Sequence, residues 1–316
     1  MRDAPAILLH GAAGTGLWDA LRERAAALLC EAPRDGQACG ECAGCRLLAA
    51  GTHPDRFELL PDALALELGV REPEERAGGG QPSREIAIDA VRNLVDWSHA
   101  TSHRGGVRVA LVYPLDAMSL PAANALLKTL EEPPPGLSFF LGTHRLDRVL
   151  PTLRSRTRLQ PLPRPQAAAA HALLRQRGSA QPEAVAAWCR NAVHAAQPEA
   201  GLEWALGVLA WLDGQGAAGA RRALVDAAPA AAVAAASLQK IGVDLMRARH
   251  GLAPLYLPQQ RALLQRLAPR AQPADWLARW QRLARASAES GFALHAGLSA
   301  ERWLLEFGQL HTRSED

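Results

Sequence analysis

The first 160 residues alternate short apolar segments with segments of helical periodicity. Three apolar segments, at 6–10, 107–112 and 138–142, predict buried strands. Helices are predicted at 17–30 and at 120–132, the second ended by three consecutive prolines. Strands that alternate with helices indicate a parallel sheet with helices on both faces. We therefore expect an α/β domain at the start of the chain.

The hydrophobic pattern changes after the proline-rich segment 161–165. The remaining chain is rich in alanine and leucine, has helical spacing throughout and shows no convincing strand. A second, softer break is predicted near 197–199. One stripe with helical spacing is interpreted as core rather than as a platform for stacking bases: Trp276, Leu277, Trp280, Leu283 and Ala284.

Length and composition restrict the class of protein. A chain of 316 residues with 48% apolar residues is long enough for two or three domains with buried cores. It has no uninterrupted apolar run of about 18 residues and no signal-peptide pattern, so a soluble cytoplasmic protein without membrane contact is expected. Segment 71–84, with three consecutive glycines, is interpreted as a surface loop without assigned function.

The net charge of +3 is too small to indicate nucleic-acid binding by bulk electrostatics. From Leu206 onward the chain has 13 lysines and arginines against 9 acidic residues, so the positive excess lies in the last third. A solvated helical surface and a weak DNA-facing surface both fit this distribution, and the first is favoured.

A glycine-rich turn follows the first predicted strand and precedes the first predicted helix. Its residues Gly11, Gly14 and Gly16 resemble a phosphate-binding loop, G-x-x-x-x-G-K-[ST]. In such a loop the lysine neutralises phosphates and the hydroxyl group binds Mg²⁺. Here these two positions are Leu17 and Trp18, which can do neither. On this motif alone, a degenerate nucleotide site and an ordinary glycine turn are equally favoured.

The second element of a nucleotide-hydrolysing site is also absent. Such a site needs an apolar strand that ends in Asp-Glu, the aspartate for Mg²⁺ and the glutamate to orient water. The predicted strand 107–112 is followed instead by Tyr113 and Pro114, and Asp116 comes too late. Loss of both elements favours a degenerate ATPase site that binds neither ATP nor Mg²⁺ productively.

Four cysteines lie close together in the sequence. Cys30, Cys39, Cys42 and Cys45 have the spacing C-x8-C-x2-C-x2-C, in which tight turns bring the sulfurs onto one metal ion. Structural Zn²⁺ is favoured over an iron–sulfur cluster, unligated thiols or disulfides. Four thiolates leave no open position, so the metal would stabilise the fold rather than catalyse. The fifth cysteine, Cys189, is predicted to be a small core residue of a helix.

One segment is highly specific for a known family. Residues 124–134, NALLKTLEEPP, resemble the clamp-loader branch of the AAA+ ATPases. Together with the four-cysteine insert and the segments 51–55 and 88–92, they are similar to the delta-prime and gamma/tau subunits of bacterial DNA polymerase III. Gamma/tau-like chains keep the phosphate-loop lysine and the Asp-Glu pair, which this chain lacks, so the delta-prime type is the closer match. The motifs cover about residues 7–158.

The resemblance implies an arginine finger supplied to a neighbouring subunit. Segment 153–157 resembles the family's Ser-Arg-Cys element, with threonine in place of the cysteine. By position Ser155 is its serine and Arg156 is the finger, which would stabilise charge on a γ-phosphate held by the neighbour. Arg154 and Arg158 are expected to be surface or support residues.

The same resemblance gives other residues smaller roles. Thr143 would lie where active relatives sense the γ-phosphate and is expected to be vestigial. For Lys128, Glu131 and Glu132, an interface role and a solvated helix face both stay open. His53, near the cysteines, is interpreted as a turn residue rather than a metal ligand.

The resemblance also implies three domains and a place in a hetero-oligomer. An AAA+-like α/β domain of residues 1–163 with a zinc-binding insert would be followed by a small helical lid, 164–205, and an all-α C-terminal collar, 206–316. The chain would assemble with gamma/tau and delta subunits and, through them, act on the sliding clamp and primed DNA. No intrinsic catalysis is expected. Two alternatives are an isolated zinc-dependent DNA-binding protein and an active ATPase with unconventional nucleotide binding.

Overall fold

The protein consists of two compact units, Met1–Pro163 and Arg164–Asp316. The computed structural model describes residues 6–70, 81–194, 198–214, 217–270, 281–282 and 296–312. The predicted tryptophan stripe at 276–284 and most of the predicted loop at 71–84 lie outside the described residues.

The first unit is built around a five-stranded parallel sheet. Its strands are β1 (Ala6–His10), β2 (Arg56–Leu59), β3 (Arg108–Val112), β4 (Leu137–Thr143) and β5 (Arg158–Pro161). They lie in the order β2-β3-β4-β1-β5, and each neighbouring pair is parallel. The predicted parallel sheet is confirmed. The edge strands β2 and β5 are not among the predicted strands, because four residues with charged and polar side chains form no apolar run.

Helices cover both faces of this sheet. They are α1 (Leu17–Leu29), α2 (Ala43–Ala49), α3 (Asp62–Glu67), α4 (Ile88–Ser98), α5 (Leu120–Glu131) and α6 (Pro151–Arg154). Along β3, whose five residues are all buried, Val109 and Leu111 pack in the cluster that contains α1. Ala110 and Val112 pack in the opposite cluster, with α4 and α5. This alternation follows from the two-residue period of a strand.

Every regular secondary-structure element among the described residues of the second unit is a helix, as predicted. Its helices are α7 (Ala167–Gln176), α8 (Pro182–Cys189), α9 (Pro198–Asp213), α10 (Ala218–Asp226), α11 (Ala231–Arg249), α12 (Arg261–Leu267) and α13 (Ala296–Thr312). They share one buried core. Among the described residues of both units, no helix combines the length and the apolar character that crossing a lipid bilayer requires.

The predicted boundary between residues 205 and 206 lies inside α9. This helix is continuous because its buried side chains on both sides of that point, Trp204 and Leu209 among them, pack into the same core. The softer predicted break near 197–199 lies at the start of the helix. A division of the helical half would therefore fall before α9 rather than within it.

Candidate functional site

The phosphate-loop segment is a glycine-rich turn between β1 and α1. The N-cap residue of α1 is Gly16. Gly14 and Gly16 have φ values of 80° and 78°, in the left-handed region that glycine adopts without strain. Thr15 closes the turn, since its backbone N–H and its hydroxyl group both donate to the carbonyl oxygen of Ala12.

The two positions that would carry nucleotide chemistry are buried and apolar. Leu17 and Trp18 form the start of α1, with exposed fractions of 1% and 5%. Leu17 packs closely on the sheet: a Cβ atom on Gly142 of β4 would lie 2.9 Å from Leu17 Cδ2 and 2.7 Å from Leu21 Cδ1. The lysine position of a working loop is thus part of the core in this chain.

The Trp18 ring stacks on Tyr113, the first residue after β3. The ring centroids are 5.7 Å apart and the ring planes are inclined by 22°. In a working phosphate loop, Mg²⁺ is held by the Ser or Thr hydroxyl group that follows the loop lysine and by an aspartate at the end of another apolar strand. Here Trp18 and Tyr113 are both buried, and neither ring offers a carboxylate.

A hydrogen-bonded chain connects Tyr113 to the glycine-rich turn. His144, which follows β4, lies with Nδ1 3.0 Å from the carbonyl oxygen of Gly11 and Nε2 2.7 Å from the Tyr113 hydroxyl oxygen. Because a carbonyl oxygen only accepts, Nδ1 donates, and in a neutral imidazole Nε2 then accepts from Tyr113. Burial, with smaller contributions from Asp116 and Asp19, raises the pKa of Tyr113 to about 12. The phenol therefore stays a donor.

Thr143, the last residue of β4, makes two hydrogen bonds through its hydroxyl group, both within the chain. The group is completely buried and donates to Asp116 Oδ1 at 2.6 Å. It accepts from the backbone N–H of Arg145 at 3.0 Å. Asp116, which the sequence places too late for a Mg²⁺ ligand, thus holds the end of β4.

The four cysteines form a cluster with the dimensions of a metal site. Their sulfur atoms all lie within 4.8 Å of one another. The Cys30–Cys39, Cys30–Cys42 and Cys39–Cys45 sulfur distances are 3.5, 3.9 and 4.0 Å. Four thiolates at about 2.3 Å from a tetrahedral Zn²⁺ would be about 3.8 Å apart. The cluster therefore fits a tetrahedral ion, and among the described residues it is the one group of this kind.

Backbone N–H groups stabilise the sulfurs in the charged form that a metal needs. The N–H groups of Cys39, Cys42 and Cys45 donate to the preceding sulfur at 3.3 to 3.4 Å. The bond from Cys45 is the main reason that the pKa of Cys42 falls to about 6. Burial raises the pKa of Cys45 to about 12, a cost that a bound dication would offset, since metal-bound thiols lose their proton.

His53 lies outside the cysteine cluster, in agreement with its interpretation as a turn residue. Its Nδ1 accepts from the backbone N–H of Asp55. Asp55 is 1% exposed and accepts from the Ser102 hydroxyl group and from the backbone N–H groups of His103 and Arg104. This buried carboxylate fixes the segment after the cysteines to the turn before β3.

Arg156 lies in the exposed turn between α6 and β5. Its Nε and Nη2 groups both donate to Oε1 of Glu131, the last residue of α5, and the Nε–Oε1 distance is 2.5 Å. Nη1 donates to the carbonyl oxygen of Thr152 at 3.0 Å and contacts Ser155 Oγ at 3.3 Å. The side chain remains 33% exposed, so an acceptor outside the chain can reach it.

The structure adds His144 to the residues named from the sequence, and it shows contacts of Tyr113 and Glu131 that the sequence does not indicate. Tyr113 and His144 follow the adjacent strands β3 and β4, and Glu131 pairs with Arg156 across 25 positions. The positions just after neighbouring parallel strands are a signal for the first two, since they share one edge of the sheet. No sequence signal indicates the partner of Arg156.

Comparisons with known proteins find related sequences and one solved structure of low similarity. A family model described as "DNA polymerase III, delta subunit" matches residues 2–166. The DNA polymerase III subunit delta' of Pseudomonas aeruginosa is 45% identical over 166 residues, 52% of this chain and 45% of that protein. Its Escherichia coli namesake is 41% identical over 138 residues, 44% and 36% of the two chains. A gamma-subunit-related protein of Thermotoga maritima has a TM-score of 0.45 and 16% identity, with 99% and 97% of the two chains covered.

The family model matches the first unit and the first few residues of the second. The aligned segment spans less than half the length of the two curated relatives. The family model nevertheless matches more than half of this chain, over the sheet, the cysteine cluster and the turn that carries Arg156. The chain therefore belongs to the family of DNA polymerase III delta-prime subunits.

Proposed function

We propose that this chain is the delta-prime subunit of a bacterial clamp-loader complex and that it supplies Arg156 to the ATP site of a neighbouring gamma/tau subunit. With the gamma/tau and delta subunits it would load the sliding clamp onto primed DNA during replication. Family membership supports the complex. The observation that supports these separate roles is the stacking of Trp18 on Tyr113 in place of two Mg²⁺ ligands. It favours an inactive nucleotide site in this chain and ATP hydrolysis at the site of the neighbouring subunit.

The chain's own nucleotide site would be inactive. Leu17 provides no positive charge for phosphates, and the Trp18–Tyr113 pair provides no oxygen for Mg²⁺. His144 ties Tyr113 to Gly11 of the loop, which holds the aromatic pair in place. A subunit with such a site contributes to hydrolysis only through a neighbour's nucleotide.

Arg156 has the chemistry for that contribution. A guanidinium keeps its charge at all physiological pH values and can bind two phosphate oxygens at once. A finger that reaches into another subunit's site needs no nucleotide pocket of its own, and charge stabilisation of this kind is a large part of phosphoryl-transfer catalysis. Ser155 contacts the arginine through Oγ and would support its position.

Zn²⁺ would complete the cysteine cluster as a structural ion. Four sulfur ligands close its coordination sphere, so the ion would stabilise the insert between α1 and β2. In the helical half, α7 and α8 would form the lid and the helices from α9 onward the collar.

The proposal is tested in the reconstituted complex. The chain is mixed with its cognate gamma/tau and delta subunits, and ATP hydrolysis is measured with clamp and primed DNA. Arg156→Ala should lower the rate of ATP hydrolysis at the neighbouring gamma/tau site by at least about tenfold, since arginine fingers contribute more than that in other proteins. Assembly, followed by size-exclusion chromatography, should be unchanged. Arg158→Ala, an exposed arginine two positions away, is the matched control.

An unchanged rate in an assembled Arg156→Ala complex would show that Arg156 is not the finger. ATP turnover by the isolated chain would contradict the inactive nucleotide site and support the alternative of an unconventional ATPase.

A further inference from the structure

Glu131 occupies one side of the Arg156 guanidinium group. Nε and Nη2 of Arg156 donate to the same oxygen, Oε1 of Glu131. A guanidinium is planar and holds its five N–H groups in a fixed arrangement. Glu131 binds Nε–H and the adjacent N–H of Nη2. At the end of the guanidinium that is opposite its Cδ atom, Nη1 and Nη2 each have one further N–H. That end is the pair of donors with which arginine binds phosphate end-on.

The two other contacts of Arg156 both involve Nη1, so the second N–H of Nη2 has no recorded partner among the described residues. Nη1 donates to the Thr152 carbonyl oxygen at 3.0 Å. Its contact with Ser155 Oγ is longer, 3.3 Å, and involves a hydroxyl group that can rotate away. Glu131 and Thr152 therefore fix the guanidinium from its own chain, and the remaining donors can bind an outside acceptor.

Helix stability does not account for the acidic side chain at this position. Glu131 is the last residue of α5, where the helix dipole disfavours negative charge. Its side chain is 45% exposed, so it contributes little by burial. Glu132, the next residue, is also exposed, and its side chain makes no hydrogen bond or ion pair among the described residues, although its backbone N–H donates to the carbonyl oxygen of Lys128. Of the two, Glu131 is the one that contacts Arg156.

We propose that Glu131 is a positioning residue for Arg156, an inference that rests on the proposed action of Arg156 in trans. Glu131 touches no nucleotide. It orders the arginine side chain before the subunits meet and directs the free end of the guanidinium to a phosphate group on the neighbour. An unanchored arginine would lose rotamer freedom on docking, whereas an anchored one has already lost it. Misplacement of a reacting contact by about 1 Å can lower a rate about 100-fold.

Four variants in the reconstituted complex test this inference: Glu131→Gln, Glu132→Gln, Arg156→Ala and the double variant Glu131→Gln/Arg156→Ala. Stimulated ATP hydrolysis is measured over a range of ATP concentrations. Glu131→Gln should lower kcat about five- to tenfold with KM for ATP unchanged, because positioning affects the reaction and not ATP binding. Glu132→Gln should match the unmodified chain. In the Arg156→Ala background, Glu131→Gln should have no further effect.

The outcomes separate the inference from the function on which it rests. If Arg156→Ala leaves the rate unchanged, the finger itself is wrong. If Arg156→Ala lowers the rate but Glu131→Gln equals or exceeds the unmodified chain, Arg156 acts without positioning by Glu131. If Glu131→Gln lowers the rate equally with and without Arg156, its effect is general damage to the fold, and the inference is overturned.

Discussion

The indole ring of Trp18 and the phenol ring of Tyr113 lie 5.7 Å apart and inclined by only 22°, at the two positions where a phosphate-loop ATPase holds Mg²⁺. The residues come from different segments, the start of α1 and the end of β3. Stacked aromatic pairs contribute about 0.5–1.5 kcal/mol beyond the burial of their surface. The two stacked side chains therefore contribute to the stability of the fold.

Truncation of the indole ring should destabilise the first unit strongly. Trp18→Ala removes a large side chain that is 5% exposed, so the free energy of unfolding should fall by about 3–5 kcal/mol. Leu28→Ala is the control, because Leu28 lies in the same helix but is 44% exposed. Its effect should stay below about 1 kcal/mol. Urea denaturation followed by circular dichroism measures both, and equal losses would contradict the packing role of Trp18.

Tyr113 should make stability depend on pH in the alkaline range. A tyrosine in the unfolded chain ionises near pH 10, whereas the folded protein raises the pKa of Tyr113 to about 12. The unfolded state then loses its proton first, so this contribution is complete below pH 10 and is lost as the pH rises toward 12. Between pH 9 and 11 the free energy of unfolding should fall by about 1 kcal/mol more than in Tyr113→Phe. Urea denaturation of both proteins at both pH values tests this. An equal fall in the free energy of unfolding in the two proteins would contradict it.

Local spacing was enough to predict the features that depend on neighbouring residues. The central strands are visible as apolar runs. The cysteines are spaced three residues apart, so that the backbone N–H of Cys42 and Cys45 donates to the sulfur of the preceding cysteine. The exchange of lysine and hydroxyl for Leu17 and Trp18 is visible in the motif itself. Such features need no knowledge of how distant segments meet.

Features that depend on distant segments could not be predicted in the same way. The pairing of Trp18 with Tyr113 requires the strand order, which places β4 between β3 and β1. The pairing of Glu131 with Arg156 requires the end of α5 to lie beside the turn after α6. The predicted boundary after residue 205 lies within α9 for a related reason, because the core into which α9 packs includes side chains from the rest of the second unit.

Loss of one sulfur should remove the metal ion. In Cys42→Ser, Zn²⁺ content measured by inductively coupled plasma mass spectrometry should fall from about one ion per chain to well below that, since structural sites need all four ligands. The midpoint of thermal unfolding should fall as well, because binding free energy contributes to folding. Cys189→Ala, which removes a cysteine of α8 outside the cluster, should keep its Zn²⁺. An unmodified chain without Zn²⁺ would contradict the metal assignment.

Asp244 should contribute more to stability than an exposed carboxylate of the second unit. It is fully buried in α11 and accepts from three successive backbone N–H groups, those of Leu255, Tyr256 and Leu257, at 2.6 to 2.9 Å. Asp244→Ala leaves these donors without an acceptor, which should lower the free energy of unfolding by about 2–4 kcal/mol. Asp226→Ala removes an exposed carboxylate that pairs with Arg222 in α10, and should cost less than about 1 kcal/mol. Urea denaturation followed at the helical circular dichroism band compares the two variants. A loss in Asp244→Ala no larger than that in Asp226→Ala would mean that water replaces the carboxylate and that the segment before α12 does not depend on it.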